Sequence, residues 1–369
     1  MKMIIDSNIL KDAVKTVSKA IMPNSPVPAM NSILTEPAGE KQLRLTGTSG
    51  TMTIKKVIEA EDPEKVLIDA KMLNNIATVV AGDVEFSKVD NTFWDINAGT
   101  AKFRLNTIPV KEWPSLADVD QEKAVTMAFT PKMLEDIKTG VLYAASTNEA
   151  KAVLTGVNIH VTGNKAIVAA TDSYRMATKE IDLKDTYSDE ISVVIPATAM
   201  KTAAALFKDE ESEVTVKVDG KRISLSAGDT ELSSALLEGQ YPDLARLYPT
   251  QFEQTITVNR EILLAVLKRA KLLSNDDSPL VVTLTADRND TATISIRNGE
   301  IGSFEEDIPI KREGAGDFKI CYMLAYLLDA VTSIEADDLR IDFSGTTKPA
   351  LITGDGTTKA VILPVRSFY

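Results

Sequence analysis

The chain has few residues of the types that carry out covalent chemistry. His160 is the only histidine, so any Ser-His-Asp triad would have to use it. It lies in the stretch GVNIHVTG, at a polar position of an alternating pattern that predicts a strand, just before a turn. We expect an exposed strand histidine there, and no set of nucleophile, base and oxyanion hole can be assembled. The sequence therefore predicts a protein without catalytic residues.

Sites for a phosphate, a cofactor or a metal ion are not indicated either. The stretch from Gly47 to Thr51 lacks the lysine and the following helix of a phosphate-binding loop. Cys321 is the only cysteine, which excludes an internal disulfide and, with one histidine, a Cys/His zinc site. Glu305 and Glu306 could in principle bind a metal ion, but a charged surface strip is the simpler interpretation. We expect no cofactor and no metal.

Length and composition are those of a soluble globular protein with several domains. The 369 residues exceed what one core usually supports, and 44% hydrophobic with 25% charged residues is ordinary. No apolar run approaches the roughly 20 residues that span a bilayer, and the N-terminal stretch has no apolar signal core. We therefore expect a cytoplasmic protein without membrane contact. The net charge of −12 argues against nucleic-acid binding unless the lysines are segregated.

Lysines do recur at helical spacing, apart from the acidic runs. Lys11, Lys15 and Lys19 follow one another at intervals of four residues beside an apolar helix face. Further lysines fall on other predicted helices, namely Lys132, Lys138, Lys201 and Lys268. The acids concentrate elsewhere, at 209–213, 305–308 and 335–338. Any one stripe could be a solvated helix face, but their repetition favours a shared basic surface.

Three sets of similar stretches recur along the chain, which indicates a repeated domain. The first set, at 4–21, 128–145 and 257–274, joins a strand-like start and a polar turn to apolar residues at helical spacing. Its first member places on one face Ile9, Leu10, Ala13, Val14, Val17 and Ile21. The expected N-caps are Asp6 or Ser7, Thr130 and Asn259, with Pro131 in a first helical turn.

The second set, at 67–90, 194–219 and 319–344, leads from a short strand through a helix and an acidic turn to another strand. The third is a glycine before a closing strand, at Gly99, Gly228 and Gly356. Each repeat thus holds two helices and about eight short strands, an α+β fold with the helices packed on antiparallel sheet. With linkers at 118–123 and 248–254, the predicted domains are residues 1–122, 123–251 and 252–369.

Four motifs resemble segments of the bacterial DNA polymerase III beta clamp family. They are AATDSYRMA (169–177), EGQYPDLARLYP (238–249), RAKLLSN (269–275) and LPVRSFY (363–369), and they lie in the family's order. The resemblance covers essentially the whole chain. It implies a non-enzymatic DNA sliding clamp, a head-to-tail homodimer whose three repeated clamp domains per chain close a ring around double-stranded DNA. Such a ring does not read sequence and confers processivity on the replicative DNA polymerase.

The resemblance also implies individual site residues. The DNA-facing set is Lys11, Lys15, Lys19, Lys132, Lys138, Asn148, Lys201 and Lys268. At the dimer contact, the apolar residues are Phe103, Leu105, Leu272 and Leu273, and the charged ones are Lys102, Arg104, Glu305 and Glu306. Lys102 and Arg104 would face the two acids across the interface. A role as ordinary core residues is the alternative for Phe103 and Leu105.

In this family a groove accepts short motifs from the replicative polymerase, the clamp loader, other DNA polymerases and repair proteins. The matching residues are Leu154, Thr171, Tyr174, Arg175, Met176, Pro242, Arg246, Leu247, Tyr326, Leu363, Pro364, Val365 and Arg366. Two departures stand out: Met323 replaces a polar residue near the groove, and Asn24 replaces a basic DNA contact. The C-terminal Phe368 and Tyr369 either dock into the chain's own groove or pack or fray elsewhere.

Two other classes compete with this interpretation. One is a three-domain scaffold that binds peptides without encircling DNA, which a measurement of ring shape and of retention on circular DNA would distinguish. The other is an enzyme, which the lack of a catalytic constellation disfavours.

Overall fold

The protein is represented by a computed structural model that describes residues 2–22, 24–274, 280–286, 290–314 and 317–366. Asn275 and the C-terminal Phe368 and Tyr369 lie outside these residues, so the docking of the tail stays a prediction. The described α-helices are α1 (Ser7–Ser18), α2 (Ala70–Val79), α3 (Pro131–Gly140), α4 (Ala197–Leu206), α5 (Arg260–Ala270) and α6 (Leu324–Ser333). They fall two to each predicted repeat.

The strands are numerous and mostly short, as expected, but β10 and β11 have 16 and 22 residues, and the described part of the second repeat has six strands where about eight were predicted. Those before residue 107 are β1 (Lys2–Asp6), β2 (Ser32–Gly39), β3 (Gln42–Thr48), β4 (Met52–Glu59), β5 (Val66–Asp69), β6 (Asp83–Lys88), β7 (Phe93–Ala98) and β8 (Ala101–Asn106). Those from 125 to 235 are β9 (Val125–Phe129), β10 (Gly156–Thr171), β11 (Arg175–Pro196), β12 (Val214–Val218), β13 (Arg222–Ala227) and β14 (Thr230–Ala235). The others are β15 (Gln254–Asn259), β16 (Val281–Ala286), β17 (Thr291–Asn298), β18 (Gly302–Pro309), β19 (Lys311–Gly314), β20 (Phe318–Met323), β21 (Asp338–Phe343), β22 (Ala350–Thr353) and β23 (Thr358–Ile362).

The first helix of each repeat begins where a polar side chain caps it. Side-chain oxygens of Asp6, Thr130 and Asn259 accept hydrogen bonds from amides two or three residues later, at 2.8–3.2 Å. These bonds satisfy amides that have no partner inside the helix. Pro131 is the first residue of α3, where its missing N–H costs nothing. The predicted caps are confirmed.

The predicted apolar face of α1 is confirmed at four of its six positions; Ile21 is half-buried and lies beyond the end of the helix at Ser18. Leu10, Ala13, Val14 and Val17 are buried, whereas Ile9 is 38% exposed. Successive helical residues are rotated by about 100°, so Ile9 lies at the flank of the face that Leu10 and Val17 define. The inclusion of Ile9 was wrong because hydrophobicity alone does not fix the width of a buried stripe.

The described residues form two compact units, each with one long sheet and one four-stranded sheet. Unit 1 comprises the chain up to Leu134 together with Thr198–Leu236. Its sheets have the strand orders β5-β2-β3-β4-β14-β13-β12-β9 and β1-β6-β7-β8. Unit 2 comprises Glu135–Ala197 and the chain from Leu237 onward, with the orders β10-β11-β23-β22-β21-β15-β19 and β18-β17-β16-β20. Since each long sheet contains strands of two successive repeats, the units are not the repeats, and the domain boundaries stay a prediction.

Each long sheet contains a junction at which one repeat pairs with the next. In unit 1, β4 pairs antiparallel with β14, and in unit 2, β11 pairs antiparallel with β23. The strands β14, β23 and β8 each follow a glycine, Gly228, Gly356 or Gly99, with φ of 55°, 78° and 57°. Glycine adopts this left-handed conformation without steric cost, which explains the recurrent residue.

A half-buried lysine connects the two strands at both junctions. Lys56 on β4 binds Asp229 at 2.9 Å and Thr230 at 3.4 Å, and Lys179 on β11 binds Thr358 at 3.0 Å. Burial lowers the pKa of Lys56, but the carboxylates of Asp229 and Asp12 outweigh it and raise that pKa above its usual value. The ammonium group therefore stays charged at neutral pH and crosses the junction as an ion pair.

Gly47 allows the end of α1 to pack directly on β3. A Cβ at this position would lie 2.3 Å from the carbonyl oxygen of Val17, far inside van der Waals contact. Gly47, in the stretch that lacks the features of a phosphate-binding loop, is therefore a packing residue. Backbone atoms cannot yield as a flexible side chain can, so any larger residue must move the helix.

We predict that Gly47→Ala destabilises unit 1 by about 1–3 kcal/mol, the usual effect of overpacking a core. The matched control is Gly39→Ala on β2, where the new Cβ meets chiefly the flexible side chain of Gln42. Differential scanning calorimetry of both variants checks this. Equal melting temperatures for the two variants would contradict the proposed packing role of Gly47.

Candidate functional site

A cavity of about 300 Å³ in unit 2 brings together most of the residues predicted to form the groove. Its lining contains Leu154, Thr171, Tyr174, Arg175, Met176, Pro242, Leu247 and Leu363, together with Ser173, Pro349 and Val361. The first eight are predicted groove residues, and the last three were missed. The lining is mostly aliphatic, with a few polar groups at its edge. A cavity of this size and composition suits a few apolar side chains of a ligand.

The turn between β10 and β11 forms one wall of the cavity and is held by its own hydrogen bonds. Thr171 Oγ1 donates to the carbonyl oxygen of Arg175 at 2.7 Å and accepts from the amide of Ser173 at 3.2 Å. Asp172 Oδ1 accepts from the amides of Tyr174 and Arg175 at 2.8 and 2.9 Å. These bonds explain the Thr-Asp pair in the predicted motif, since both side chains close the turn.

Arg175 is fixed by ion pairs and by aromatic rings. Its guanidinium donates to Asp172 Oδ2 at 3.0 Å and to Asp329 Oδ2 at 2.6 Å. The ring centroids of Tyr326 and Tyr143 lie 4.4 and 5.3 Å from its Cζ atom, within cation–π range. With only 13% of its side chain exposed, Arg175 forms part of the cavity wall and is not a free cation.

Tyr143 supports this arrangement from within the unit. Its hydroxyl accepts a hydrogen bond from Ser333 Oγ at 3.4 Å. Burial raises the pKa of Tyr143 to about 12, so the ring stays neutral at physiological pH and presents its face to Arg175. The sequence motif carries no signal for Tyr143 or Asp329, because both lie far from Arg175 in the chain.

Five predicted groove residues lie outside the cavity lining. Tyr326 stacks on Arg175 behind the wall, and Arg246 is paired with Asp243 at 2.9 Å with 86% of its side chain exposed. The chain after Leu363 is anchored by the amide of Val365, which donates to the carbonyl of Cys321 at 2.8 Å. Pro364 is half-buried and Arg366 is exposed. Met323, the noted departure, is half-buried at the start of α6.

The three missed lining residues come from strand pairing. Val361 lies on β23 opposite Met176, and Pro349 directly precedes β22. The local sequence pattern does not show which strands become neighbours in a sheet. Val361 and Pro349 therefore could not be predicted from it. Ser173 was detectable, because it lies inside the motif itself.

In unit 1 the predicted DNA-facing residues are exposed on helices. Lys11, Lys15 and Lys19 are exposed along and just beyond α1, and Lys132 and Lys201 on α3 and α4. Partial burial, then the charges of Lys15 and Lys208, hold the pKa of Lys19 below its usual value. The lysines are thus close enough to repel one another, which a bound polyanion would relieve.

In unit 2 the predicted DNA-facing residues differ in their surroundings. Lys268 is exposed on α5, whereas Lys138 is half-buried and its ammonium binds the carboxylate of Glu135 at 2.9 Å. Asn148 is exposed, and its side chain accepts a hydrogen bond from the amide of Ala150 at the start of the 3₁₀ segment Glu149–Thr155, which is kinked at Lys151. Asn24, in unit 1, adopts a left-handed φ of 60°, a conformation for which asparagine is well suited.

The residues predicted at the dimer contact lie on two edge strands and one short 3₁₀ helix. On β8, Phe103 and Leu105 are half-buried and Lys102 and Arg104 exposed, and Arg104 binds Asp95 at 2.7 Å. On β18, Glu305 is exposed, and Glu306 is half-buried and binds Arg269 at 2.5 Å. On the 3₁₀ helix Lys271–Leu273, Leu272 is 81% exposed and Leu273 packs against the core.

Among the described residues, no group of three or more His, Cys, Asp or Glu side chains could hold a metal ion. No helix of the described chain is long and apolar enough to cross a membrane. His160 was expected to be exposed just before a turn, but it is half-buried and β10 continues past it to Thr171. Its Nε2 lies 3.3 Å from Thr162 Oγ1 and 3.6 Å from a Glu190 carboxylate oxygen.

Three family descriptions match almost the whole chain. They are the N-terminal, central and C-terminal domains of the DNA polymerase III beta subunit, over residues 1–117, 128–243 and 245–366. The beta sliding clamps of Staphylococcus aureus and Staphylococcus epidermidis are 28% and 27% identical over 363 residues, 95% of this chain and 95% of each relative.

Solved structures have the same fold. A DNA polymerase sliding clamp from Bacillus subtilis gives a TM-score of 0.92 at 27% identity over 100% of both chains. The beta subunit from the DNA polymerase of Streptococcus pyogenes gives 0.90 at 26% identity over 100% of both. The beta subunit from Thermotoga maritima gives 0.87 at 22% identity over 99% of both, which supports the fold alone.

We predict that Arg175→Lys destabilises unit 2 by roughly 1–3 kcal/mol, since lysine cannot serve both carboxylates and both rings at once. The matched control is Arg246→Lys, whose exposed ion pair should leave the melting temperature unchanged. Calorimetry of both variants is the measurement. If the Arg246 variant lost as much stability as the Arg175 variant, the proposed contribution of the Arg175 contacts to the stability of unit 2 would be contradicted.

Proposed function

The chain belongs to the DNA polymerase III beta subunit family of sliding clamps, and we propose that two copies encircle duplex DNA as a ring. The ring holds the replicative DNA polymerase on its template and takes no part in catalysis itself. The observation that carries this proposal is that two of the sheet edges, β8 in unit 1 and β18 in unit 2, are terminal strands whose pairing would repeat the strand order of the junctions inside the chain. Within the described residues neither strand has a partner on its outer side.

These two edges fit the pattern of the junctions inside the chain. The long sheet of unit 1 reads β5-β2-β3-β4 followed by β14-β13-β12-β9. Pairing β18 of one copy with β8 of another would give β20-β16-β17-β18 followed by β8-β7-β6-β1, which is the same arrangement. It would satisfy both edges, and a second such contact would close the dimer head to tail.

The internal junctions also supply a register for this contact. Equivalent positions of β4, β11 and β18 can be identified by a buried isoleucine four residues later in each strand. These positions are Ile54, Ala177 and Phe304. Ile54 opposes Leu232, four residues after Gly228, and Ala177 opposes Ala360, four residues after Gly356. The residue four positions after Gly99 is Phe103.

Phe304 of one copy therefore opposes Phe103 of the other, and Glu305 opposes Lys102. Lys102 and Glu305 are both exposed, and neither has an ion-pair partner among the described residues. Their opposite charges favour pairing of β8 with β18 over pairing of either strand with its own kind. Arg104 and Glu306 already have partners within the chain, which makes them weaker candidates for the same contact.

Apolar surface beside the edges supports the same contact. Leu272 is the most exposed large hydrophobic side chain described, and Ile301 in the turn before β18 is also exposed. Asn298 Nδ2 donates to the carbonyl of Leu273 at 3.0 Å, which ties this turn to the 3₁₀ helix that carries Leu272. Covering these side chains removes apolar area from water, and Leu273 and Phe304 would supply the partly buried floor.

The exposed lysines are the proposed contacts to DNA. Lys11, Lys15 and Lys19 form a stripe at a spacing of four residues on one helix, with Lys208 near enough to affect Lys19. Lysine contacts with phosphates carry no sequence information, so they permit sliding. Lys132, Lys201 and Lys268 are also exposed, whereas Lys138 is half-buried and Asn148 caps a 3₁₀ segment, which makes these two weaker candidates.

The cavity of unit 2 is the proposed docking site for partner peptides. Its aliphatic lining and the adaptable Met176 suit short apolar segments of the replicative polymerase, the clamp loader, other DNA polymerases and repair proteins. Arg175 shapes the wall and keeps its carboxylate partners, so the guanidinium does not pair with a ligand carboxylate.

We predict that the protein is retained longer on nicked circular DNA than on linear DNA of the same sequence. A closed ring leaves a linear molecule by sliding off its ends, whereas a surface-bound scaffold would dissociate from both at one rate. Gel filtration of preassembled complexes, with time points after dilution, measures the difference. Equal retention on the two DNAs would favour the scaffold that binds peptides without encircling DNA.

Replacing Lys11, Lys15 and Lys19 by Gln should shorten retention on the circle. In binding to a short duplex, the dependence of log K on log salt should fall by up to about 0.9 per lysine removed. The matched control replaces Lys41, Lys65 and Lys88 by Gln, which makes the same change in net charge at exposed positions of unit 1. An equal effect of both triple variants would refute the assigned DNA-facing stripe.

A further inference from the structure

Asn298 ends β17, and its side chain holds the turn that leads into β18. Its Oδ1 accepts hydrogen bonds from the amides of Glu300 at 3.0 Å and Ile301 at 3.3 Å, and its Nδ2 donates to the carbonyl of Leu273 at 3.0 Å. Asn298 therefore uses both ends of its amide group, the oxygen for the turn and the nitrogen for the 3₁₀ helix Lys271–Leu273.

The same turn occurs at the two junctions inside the chain, with threonine in place of asparagine. In the register that relates β4, β11 and β18, the positions equivalent to Asn298 are Thr48 and Thr171. The side-chain oxygens of Thr48, Thr171 and Asn298 each accept a hydrogen bond from the amide two residues later, at 3.0, 3.2 and 3.0 Å. A hydroxyl thus serves the turn as well as an amide does, but only the amide of Asn298 can lose ammonia.

The next residue, Gly299, is a glycine that neither the backbone nor the packing requires. Its φ lies outside the left-handed region, and a Cβ there would meet no atom within 4 Å. The equivalent residues of the other two turns are Ser49 and Asp172. Asn298 and Gly299 form the only Asn-Gly pair in the sequence. Because glycine has no Cβ, its backbone nitrogen has the least hindered approach to the side-chain carbonyl carbon of the asparagine before it.

The surroundings of Asn298 favour such an approach. Gly299 is exposed, and among the described residues nothing accepts a hydrogen bond from its amide. The two amides that donate to Asn298 Oδ1 lie where negative charge develops when a nucleophile adds to Cγ, so they act as an oxyanion hole does. At the junction of β11 with β23 the equivalent turn stays open to water after strand pairing, with Tyr174 62% exposed. Pairing of β18 with β8 therefore leaves this turn accessible too.

We propose that Asn298 is a site of spontaneous deamidation and that its reaction loosens the ring. The Gly299 nitrogen gives its proton to hydroxide and forms a bond to Cγ of Asn298 within the same dipeptide. The Cγ–Nδ2 bond breaks, and Nδ2 leaves as ammonia after taking a proton from water. Water then opens the resulting succinimide at either carbonyl and leaves aspartate or isoaspartate. The reaction itself needs no partner, whereas its effect on the ring rests on the proposed dimer.

Both products break the connection between the turn and the 3₁₀ helix. A carboxylate has no hydrogen to donate, so it repels the carbonyl oxygen of Leu273 that the amide had bound. Isoaspartate also lengthens the main chain by a methylene group at the residue that pairs with Gly302, the first residue of β18. Since β18 and the exposed Leu272 of the 3₁₀ helix form one side of the proposed dimer contact, deamidation misaligns that side.

The reaction is followed by incubating the purified protein at mildly alkaline pH in water enriched in the heavy oxygen isotope. Pepsin digestion at low pH and mass spectrometry then identify each peptide in which an amide nitrogen has been replaced by labelled oxygen. Asn298 should react faster than Asn164, an exposed asparagine that precedes Lys165 at an irregular point of β10. Exchange of fluorescently labelled subunits measures the lifetime of the dimer, which should be about two- to tenfold shorter in deamidated protein.

Two variants separate the reaction from its effect. Gly299→Ser installs the residue type found at Ser49 and should slow the reaction to the rate of Asn164, which preserves the dimer during incubation. Asn298→Asp should reproduce the fast subunit exchange in fresh protein, because it removes the donor to Leu273. The matched control is Asn164→Asp, which adds the same charge at an exposed position of unit 2 and should leave exchange unchanged.

Failure of this inference and failure of the proposed function give different results. If Asn298 reacts no faster than Asn164, the modification site is overturned and the ring stands. If Asn298 reacts but neither the deamidated protein nor Asn298→Asp exchanges subunits faster, its effect on the ring is refuted. If fresh protein forms no dimer, the proposed function fails together with that effect, and the mass measurement alone decides the reaction.

Discussion

An antiparallel sheet leaves a row of unpaired amide and carbonyl groups along each edge strand, and the satisfaction of those edges organises this protein. Two junctions pair such edges within the chain, β4 with β14 and β11 with β23, and the ammonium group of a lysine donates a hydrogen bond across each of them. Two further edges, β8 and β18, have no partner among the described strands. In the proposed dimer, β18 of one copy pairs with β8 of another in the way that the strands pair at the two internal junctions.

The candidate binding site is a product of the second junction. Pairing of β11 with β23 sets Val361 opposite Met176, and the amide of Leu363 donates to the carbonyl of Tyr174 at 2.9 Å. The end of the chain is thereby brought against the turn that holds Ser173 and Arg175. The apolar cavity thus lies at the end of the β11–β23 pairing, which also holds the long sheet of unit 2 together.

Local signals in the sequence predicted local structure well. The caps Asp6, Thr130 and Asn259 and the repeated glycines need only their near neighbours to act, so their patterns could be interpreted directly. The eight predicted groove residues that line the cavity were identified from the family resemblance. Residue spacing alone could not show that segments so far apart in the chain meet in the fold. Asp329, which holds Arg175, is 154 residues away from it in the chain, and Pro349 enters the lining only through strand order. Ile9 was misassigned because tertiary packing sets the width of a buried face.

The central claim is that β18 of one copy pairs with β8 of another, in the register of the internal junctions, around DNA. Lys102→Cys combined with Glu305→Cys tests it, since directly opposed strand residues lie within disulfide distance. The account predicts covalently closed dimers that stay on nicked circular DNA in about 1 M salt, where electrostatic contacts are screened, and that leave once the circle is cut. Failure of a stable dimer to cross-link at this pair, or loss of cross-linked protein from intact circles in salt, would contradict it.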